Sequence, residues 1–249
     1  MSEFVNVTFE NLEKEHVCCA IGDKKHQEGV NQKKQWLAER IQEGHVFRKL
    51  NERGKVFIEY APLEKAWCPV IGKDYLYIYC LWVAGSYKGK GYGKELIEYA
   101  ISDAKQKGKV GLCTISSKKK KPFLSEKKFF EKYGFKIVDT IGDYELLVLN
   151  LEDSKEVPKF SPTAKNQTIP REEFTIFYTN QCPFTEHSIR EIKETAKQIN
   201  IPVSFVKVDT LEKAKNMPCI FQNWANFKNG KFLSNTILNG YSFKKIIGE

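Results

Sequence analysis

The chain has 249 residues, of which 41% are apolar, and its formal net charge is +9. This length fits one large domain or two ordinary ones, and the apolar fraction suffices for packed cores. No apolar run approaches the roughly 20 residues that a bilayer span needs, and the N-terminal "MSEFVNVTFE" lacks the pattern of a secretory signal. We therefore expect a cytoplasmic protein without a membrane partner.

Cysteine spacing and charge exclude further classes. The seven cysteines are irregularly spaced and form no CxxC pair, which favours reduced thiols and predicts no metal site. The excess of lysine is compatible with an anionic partner, but no nucleic-acid-binding motif accompanies it. We expect no nucleic-acid partner, and the sequence leaves the oligomeric state open.

The first 150 residues alternate between strand and helix patterns. "FRKLNERGKVFIEYAP" predicts two strands around a turn at residues 51–54, and "DYLYIYCLWV" predicts a long buried strand. "GKELIEYAISDAKQKG" has apolar residues at helical spacing and Gly108 as a stop signal. The strand "VGLCTIS", the helix "SEKKFFEKYG" and the strand "YELLVLNL" follow. This order predicts an α/β (α+β) fold with a mixed sheet flanked by helices.

The chain is then interrupted and restarts. Residues 151–171 contain three prolines and no sustained period, which predicts a linker. From residue 172, "EFTIFYT", a cysteine-proline turn, the helix "HSIREIKETAKQIN" and the strand "PVSFVKVD" precede a hairpin at Asn229-Gly230 and a short terminal helix. We predict a first domain at 1–150, a linker at 151–171 and a smaller second α/β domain at 172–249.

The segment "YKGKGYGKEL", residues 87–96, lies between a predicted strand and a predicted helix. The first N–H groups of a helix lack internal partners, and the helix dipole is positive there, so this position suits phosphate. Gly89, Gly91 and Gly93 leave room for close approach, and Lys88, Lys90 and Lys94 add positive charge. A tight turn that needs glycine is the structural alternative. The segment matches neither G-x-G-x-x-G nor a P-loop.

The surroundings of this loop resemble one family. Lys88-x-x-Gly91-x-Gly93 follows "YIYCLWV", and "FFEKYGF" comes about forty residues later, a pattern similar to the Gcn-five-related N-acetyltransferase (GNAT) family. The resemblance covers roughly residues 1–150. It implies an enzyme that transfers an acetyl group from acetyl-CoA to an amine acceptor by direct attack.

The resemblance also implies how the co-substrate is held. The backbone of Leu81, Trp82 and Val83 should pair with the pantetheine arm of acetyl-CoA. The segment from Lys88 to Lys94, which includes Tyr92, should hold the pyrophosphate. The lysine run from Lys118 to Lys121, next to Ser116 and Ser117, is either a solvated loop or a site that attracts adenosine phosphates or an anionic acceptor.

The acid and base for transfer are less clear. Where the family often has a tyrosine that protonates the leaving thiolate, this sequence has Phe130, so Tyr133 is the candidate acid and a half-buried aromatic is its alternative. Glu59, in "VFIEYAP", is the candidate base because a charge in an apolar strand is costly unless partnered or functional. Its alternative is an outward-facing residue on an edge strand.

The cysteine-proline turn suggests a second resemblance. Cys182 precedes Pro183 at the start of a predicted helix, where the dipole stabilises a thiolate. With Met217-Pro218, which resembles a cis-proline element, residues 172–249 look like a thioredoxin-like domain. Thr185 replaces a resolving cysteine, which leaves Cys219 as a possible partner. The complete arrangement resembles the YoaP group of bacterial proteins.

Two functions therefore follow from the sequence. The first is an acetyl-CoA-dependent N-acetyltransferase with an unidentified amine acceptor. The alternative is a thiol-dependent redox or thiol-binding protein that uses Cys182, with the first domain as a CoA sensor.

Overall fold

We analysed a computed structural model of the chain, which describes residues 3–17, 19–152 and 156–248. The first strands and helices, in chain order, are β1 (Phe4–Val7), α1 (Gln27–Ile41), β2 (Val46–Leu50), β3 (Val56–Pro62), β4 (Val70–Ile71), β5 (Tyr75–Val83), α2 (Tyr92–Gln106), β6 (Gly111–Ser117), α3 (Lys127–Glu131), β7 (Lys136–Ile141), β8 (Tyr144–Asn150) and β9 (Lys159–Phe160). The remaining elements are β10 (Phe174–Tyr178), α4 (Phe184–Gln198), β11 (Val203–Lys207), α5 (Leu211–Lys215), β12 (Trp224–Lys228), β13 (Lys231–Ser234) and α6 (Gly240–Ile247).

The chain forms two compact units. Unit 1 comprises Met1–Ile21, Leu37–Ala66 and Val70–Ser161, and Unit 2 comprises Gly22–Trp36, Trp67–Pro69 and Pro162–Glu249. The predicted division into 1–150, 151–171 and 172–249 stays a prediction. Part of the predicted linker is ordered, because β9 pairs with β4 and Phe160 is buried.

Unit 1 is built on a mixed sheet, as predicted. Its described strands are ordered β1-β2-β3-β5-β6-β8-β7, with β5 and β6 parallel and the other neighbours antiparallel. Helix α2 packs on this sheet through Leu96, Ile97, Ala100 and Ala104, which are all fully buried. The helix stops at Gly108, as expected, since this residue has φ 62° and the N–H of Lys109 bonds to the carbonyl oxygen of Ala104.

Unit 2 contains a smaller sheet. Its described strands are ordered β11-β10-β12-β13, where β10 and β11 are parallel and the hairpin β12–β13 is antiparallel to β10. Helix α4 connects the parallel pair and packs with α6 around a core that includes Ile176, Ile192, Trp224 and Phe243. The hairpin at Asn229-Gly230 and the terminal helix are confirmed.

Several elements differ from the sequence predictions in length or presence, and α1, α5, β1, β4 and β9 were not predicted. The predicted helix over "SEKKFFEKYG" is reduced to the five residues of α3, and β7 was not predicted. In the described residues, no helix is both long and apolar enough to cross a bilayer. The cytoplasmic location stays a prediction.

Candidate active site

Two parallel strands in the Unit 1 sheet pair over only part of their length. Residues Tyr75–Tyr77 of β5 are in register with Gly111–Cys113 of β6. Beyond these residues, β5 stays paired with β3 as far as Val83, and β6 stays paired with β8 as far as Ser117. The two strands therefore part, and within the described structure the β6-facing edge of β5 has no neighbouring strand from residue 78 onward.

A β-bulge and a buried threonine lie where the strands part. The pairing of β3 with β5 shifts between Glu59 and Tyr60, which leaves Tyr79 as an extra residue on β5. Thr114 on β6 is fully buried, and its Oγ1 donates a 2.9 Å hydrogen bond to the carbonyl oxygen of Ile78. A side-chain bond thus takes the place of a strand-to-strand bond at the beginning of the gap.

The residues expected to contact the pantetheine arm lie on this open edge of β5. Leu81 and Val83 pack in part against the core that contains α2. The Trp82 side chain, which alternation places on the opposite face, is 46% exposed. The main chain of these residues can therefore accept an extended ligand as an additional strand.

The loop between β5 and α2 presents backbone N–H groups at the start of a 15-residue helix. Gly91 is the N-cap with φ 86°, and Gly89 has φ 77°, so both occupy the left-handed region that favours glycine. A Cβ atom at either position would meet no atom of the described structure within 4 Å. Among the described residues, no side chain caps α2. The loop is therefore open to an approaching ligand, and its place at a helix N-terminus suits an anion such as phosphate.

Aromatic side chains support the loop from one side. Tyr87 Oη donates a 3.1 Å hydrogen bond to Glu52 Oε2, and this bond raises the pKa of Tyr87. The ring of Tyr92 lies 5.9 Å from that of Tyr87. The side chains of Lys88, Lys90 and Lys94 are exposed. These ammonium groups are hydrated and are accessible to an anionic ligand.

Gly93 lacks a side chain because of close packing rather than because of a left-handed backbone conformation. It lies in the first turn of α2, where a Cβ atom would stand 3.1 Å from Phe129 Cε2 and 3.9 Å from Val83 Cγ2. The missing side chain lets the Phe129 ring pack over the start of the helix. The helix therefore begins directly beside the open end of β5.

Phe130 does not face the site. Its side chain is 1% exposed and packs in the Unit 1 core, with its ring 5.0 Å from that of Phe135. Tyr133 lies beyond the end of α3 at Glu131, in a turn where its N–H bonds to the carbonyl oxygen of Phe130. Its half-buried ring is 5.1 Å from that of Phe129. The role of Tyr133 as an acid stays a prediction.

Glu59 is buried in the middle of the sheet. Its strand β3 lies between β2 and β5, and its side chain is 0% exposed, so the alternative of an outward-facing residue on an edge strand is wrong. Its neighbours Ile58 and Tyr60 pack in the core with α2, so Glu59 lies on the other face. His45 Nε2 is 3.0 Å from Glu59 Oε1. The sequence analysis did not identify this histidine.

The lysine run after β6 is partly fixed by neighbouring groups. Lys118 Nζ donates to the carbonyl oxygen of Gly142 at 3.1 Å, and Lys121 Nζ lies 3.5 Å from Asp143 Oδ2. The hydroxyls of Ser116 and Ser117 donate to backbone carbonyl oxygens within the same loop. The two serines therefore stabilise the conformation of the loop. The side chains of Lys119 and Lys120 are exposed to solvent.

The cysteine-proline turn of Unit 2 lies just outside a helix. Helix α4 begins after Pro183, and Cys182 is half-buried against the Unit 2 core. Cys219 is completely buried, and burial raises the pKa of its thiol. The Met217–Pro218 bond is trans, like every peptide bond in the described residues, so the expectation of a cis-proline is wrong. Across the same residues, no cluster of metal-ligating side chains is found.

The sequence matches two family models. The acetyltransferase (GNAT) family model matches residues 9–135, and a model described as YoaP-like matches residues 202–245. The chain therefore belongs to the GNAT family of N-acetyltransferases. It is 37% identical over 245 residues to a protein named uncharacterized N-acetyltransferase YoaP of Bacillus subtilis (strain 168), and the match covers 98% of each chain.

Several solved structures are similar to part of the chain. PaiA N-acetyltransferase from Thermoplasma acidophilum, in complex with coenzyme A, is 20% identical with a TM-score of 0.42 and covers 60% of this chain and 99% of its own. An N-acetyltransferase from Staphylococcus aureus Mu50 is 15% identical with a TM-score of 0.45, covering 61% and 99%. The ribosomal-protein-S18-alanine N-acetyltransferase from Escherichia coli is 15% identical with a TM-score of 0.42, covering 63% and 97%.

Proposed function

We propose that Unit 1 binds acetyl-CoA in the gap between β5 and β6 and transfers its acetyl group to an amine. This proposal rests on two structural features that lie next to each other in Unit 1. The parallel strands part after Tyr77, and the glycine loop opens at the N-terminus of α2, directly after the freed strand. A strand edge suits an amide-containing arm, and a helix N-terminus suits a pyrophosphate.

The binding roles follow from these positions. In this proposal the main chain of Leu81, Trp82 and Val83 pairs with the pantetheine amides. The loop from Lys88 to Lys94 holds the pyrophosphate through backbone N–H groups and the exposed ammonium groups. The open space around Gly89 and Gly91 supports this assignment, because no described atom within 4 Å of either Cβ position blocks a ligand.

The transfer step needs a base and an acid. The amine nitrogen attacks the thioester carbonyl carbon, a C–N bond forms, and the C–S bond breaks. We assign the surplus amine proton to Glu59, whose carboxylate lies on the face of the sheet opposite α2. Because this carboxylate is fully buried, the proposal has the proton reach it through a bridging water rather than by direct contact with the amine. Tyr133 is our candidate for returning a proton to the leaving thiolate. No covalent enzyme intermediate is required.

Release of the CoA thiol tests the reaction. Acetyl-CoA is incubated with n-butylamine, phenethylamine or a short peptide with a free amino terminus, and free thiol and acetylated amine are both quantified. We expect equal amounts of the two products. Glu59→Gln should lower kcat by about 100-fold or more and leave the KM for acetyl-CoA nearly unchanged. Full activity of this variant would refute Glu59 as the base.

For Unit 2 we propose a thioredoxin-like fold. The order β11-β10-β12-β13, the helix that connects a parallel pair, and the terminal hairpin and helix support this proposal. The thiol-dependent alternative gains no support from the geometry, because Thr185 replaces a second cysteine in the turn and Cys219 is buried as a thiol. A fold alone implies no activity.

A further inference from the structure

His45 and Glu59 form a buried polar pair in Unit 1. His45 is 4% exposed and Glu59 is 0% exposed, with 3.0 Å between His45 Nε2 and Glu59 Oε1. A base must be ionised to accept a proton, and an ionised carboxylate only accepts hydrogen bonds, so the proposed role of Glu59 requires that Nε2 carries the hydrogen in this pair. A charged carboxylate at this depth is costly without such a donor.

The histidine also contacts the strand that borders the gap. Its ring centroid lies 5.1 Å from that of Tyr79, with the planes tilted by 35°. Tyr79 is the bulge residue of β5, and its ring lies edge-on to Tyr77 at 5.0 Å. His45 therefore connects the candidate base on β3 to the point where β5 leaves β6.

We propose that His45 is a positioning residue that holds the Glu59 carboxylate in the orientation needed to accept the amine proton. The inference rests on the proposed function, in which Glu59 is the base. The donated hydrogen bond fixes the rotation of the carboxylate and stabilises its ionised form. Other titratable side chains on this face include those of Cys80, which pairs with Glu59, of Tyr77 and Tyr79, and of Cys113, which pairs with Tyr77. The same face carries the Lys49–Glu15 pair, whose Nζ and Oε2 lie 2.7 Å apart.

Two polar variants separate positioning from general packing. In His45→Gln, the amide nitrogen can occupy the position of the ring Nε2 and donate to Glu59. In His45→Asn, the shorter side chain places its amide nitrogen near the position of Nδ1, out of reach of the carboxylate. We expect His45→Gln to keep kcat within about threefold of the original protein and His45→Asn to lose about 10- to 100-fold.

The pH profile distinguishes this role from a structural one. In His45→Asn, the acidic limb of kcat should move to higher pH by about one unit, while the KM for acetyl-CoA stays within twofold. Equal losses in both variants would overturn the inference, as would an unshifted acidic limb in His45→Asn. If Glu59→Gln retains full activity, both the base assignment of Glu59 and the positioning role of His45 are wrong. If Glu59→Gln loses activity but the His45 variants do not behave as expected, only the positioning role is wrong.

An NMR titration tests the same inference without an acetyl acceptor, in case n-butylamine, phenethylamine and the peptide are all poor substrates. The protein is labelled with ¹³C at the glutamate carboxyl carbons, and the Glu59 resonance is identified by its loss in Glu59→Gln. The titration midpoint of this resonance should rise in His45→Asn and stay near its original value in His45→Gln. An unchanged midpoint in His45→Asn would overturn the inference.

Discussion

Replacement of Gly91 by alanine tests whether the loop at α2 is a binding element. Gly91 has φ 86°, and a Cβ atom there would meet no atom within 4 Å, so the cost of the substitution comes from backbone conformation rather than from collision. An L-residue in the left-handed region costs about 1–2 kcal/mol. If the empty loop of Gly91→Ala relaxes to a different backbone conformation, acetyl-CoA must restore the left-handed conformation when it binds. This requirement should raise the Kd for acetyl-CoA by about 5- to 30-fold.

The opposite end of the same helix offers a matched control. Gly108 has φ 62°, and a Cβ atom there also meets nothing within 4 Å. The same backbone cost of about 1–2 kcal/mol in Gly108→Ala should lower Tm by about 2–4 °C for each kcal/mol of lost stability. The affinity for acetyl-CoA should stay unchanged. Thermal unfolding and calorimetric titration of both variants provide the comparison. Equal affinities in Gly91→Ala and Gly108→Ala would refute the binding role of the loop.

Three further predictions concern packing, thiol reactivity and pH. In Gly111→Ala, the added Cβ would press against the backbone oxygen of Leu149 and lie 2.5 Å from Tyr75 Cε1, so chemical denaturation should show a loss of about 1–3 kcal/mol or more; an unchanged midpoint would contradict the packing. In the folded protein, iodoacetamide should label half-buried Cys182 and spare buried Cys219, as read by mass spectrometry; equal protection of both would show that Cys182 is inert. Burial lowers the pKa of His26, so the unfolded chain binds this proton first and stability should fall as pH decreases below about 6.5; His26→Gln should reduce that dependence, and an unaltered dependence would exclude His26 as its source.

The elements around the glycine loop could be predicted from the sequence because their signals are local. The buried run of β5, the glycines of the loop and the apolar stripe of α2 each appear within a few residues. Helix α1 gave no such signal, since most of its residues are polar and even Lys33 is buried. Its position depends on tertiary packing, which overrides the local pattern.

The site shows the same distinction between local and tertiary information. Glu59 is buried because the sheet face that carries it is covered, as the buried Phe47 and Tyr77 on the same face show, and no local pattern reveals this or the central place of β3. The sequence analysis did not identify His45, although the predicted turn at residues 51–54 sets the pairing register of β2 and β3 and so could have located it. That hairpin pairs Phe47 with Glu59, which places His45 diagonally across on the same face. The predicted helix over "SEKKFFEKYG" included Tyr133, but α3 ends at Glu131.

Calorimetric titration with acetyl-CoA tests the central claim most directly. We expect the original protein to bind with a Kd between about 1 μM and 1 mM, the range typical of enzyme substrates. Lys88→Glu/Lys90→Glu should weaken binding by about tenfold or more, because charge-assisted contacts to the pyrophosphate are lost, and should leave Tm unchanged. Lys65→Glu/Lys73→Glu, which makes the same charge change at exposed residues outside the loop, should bind nearly as the original does. No detectable heat at millimolar acetyl-CoA, or equal weakening in the two double variants, would contradict a binding site at the glycine loop.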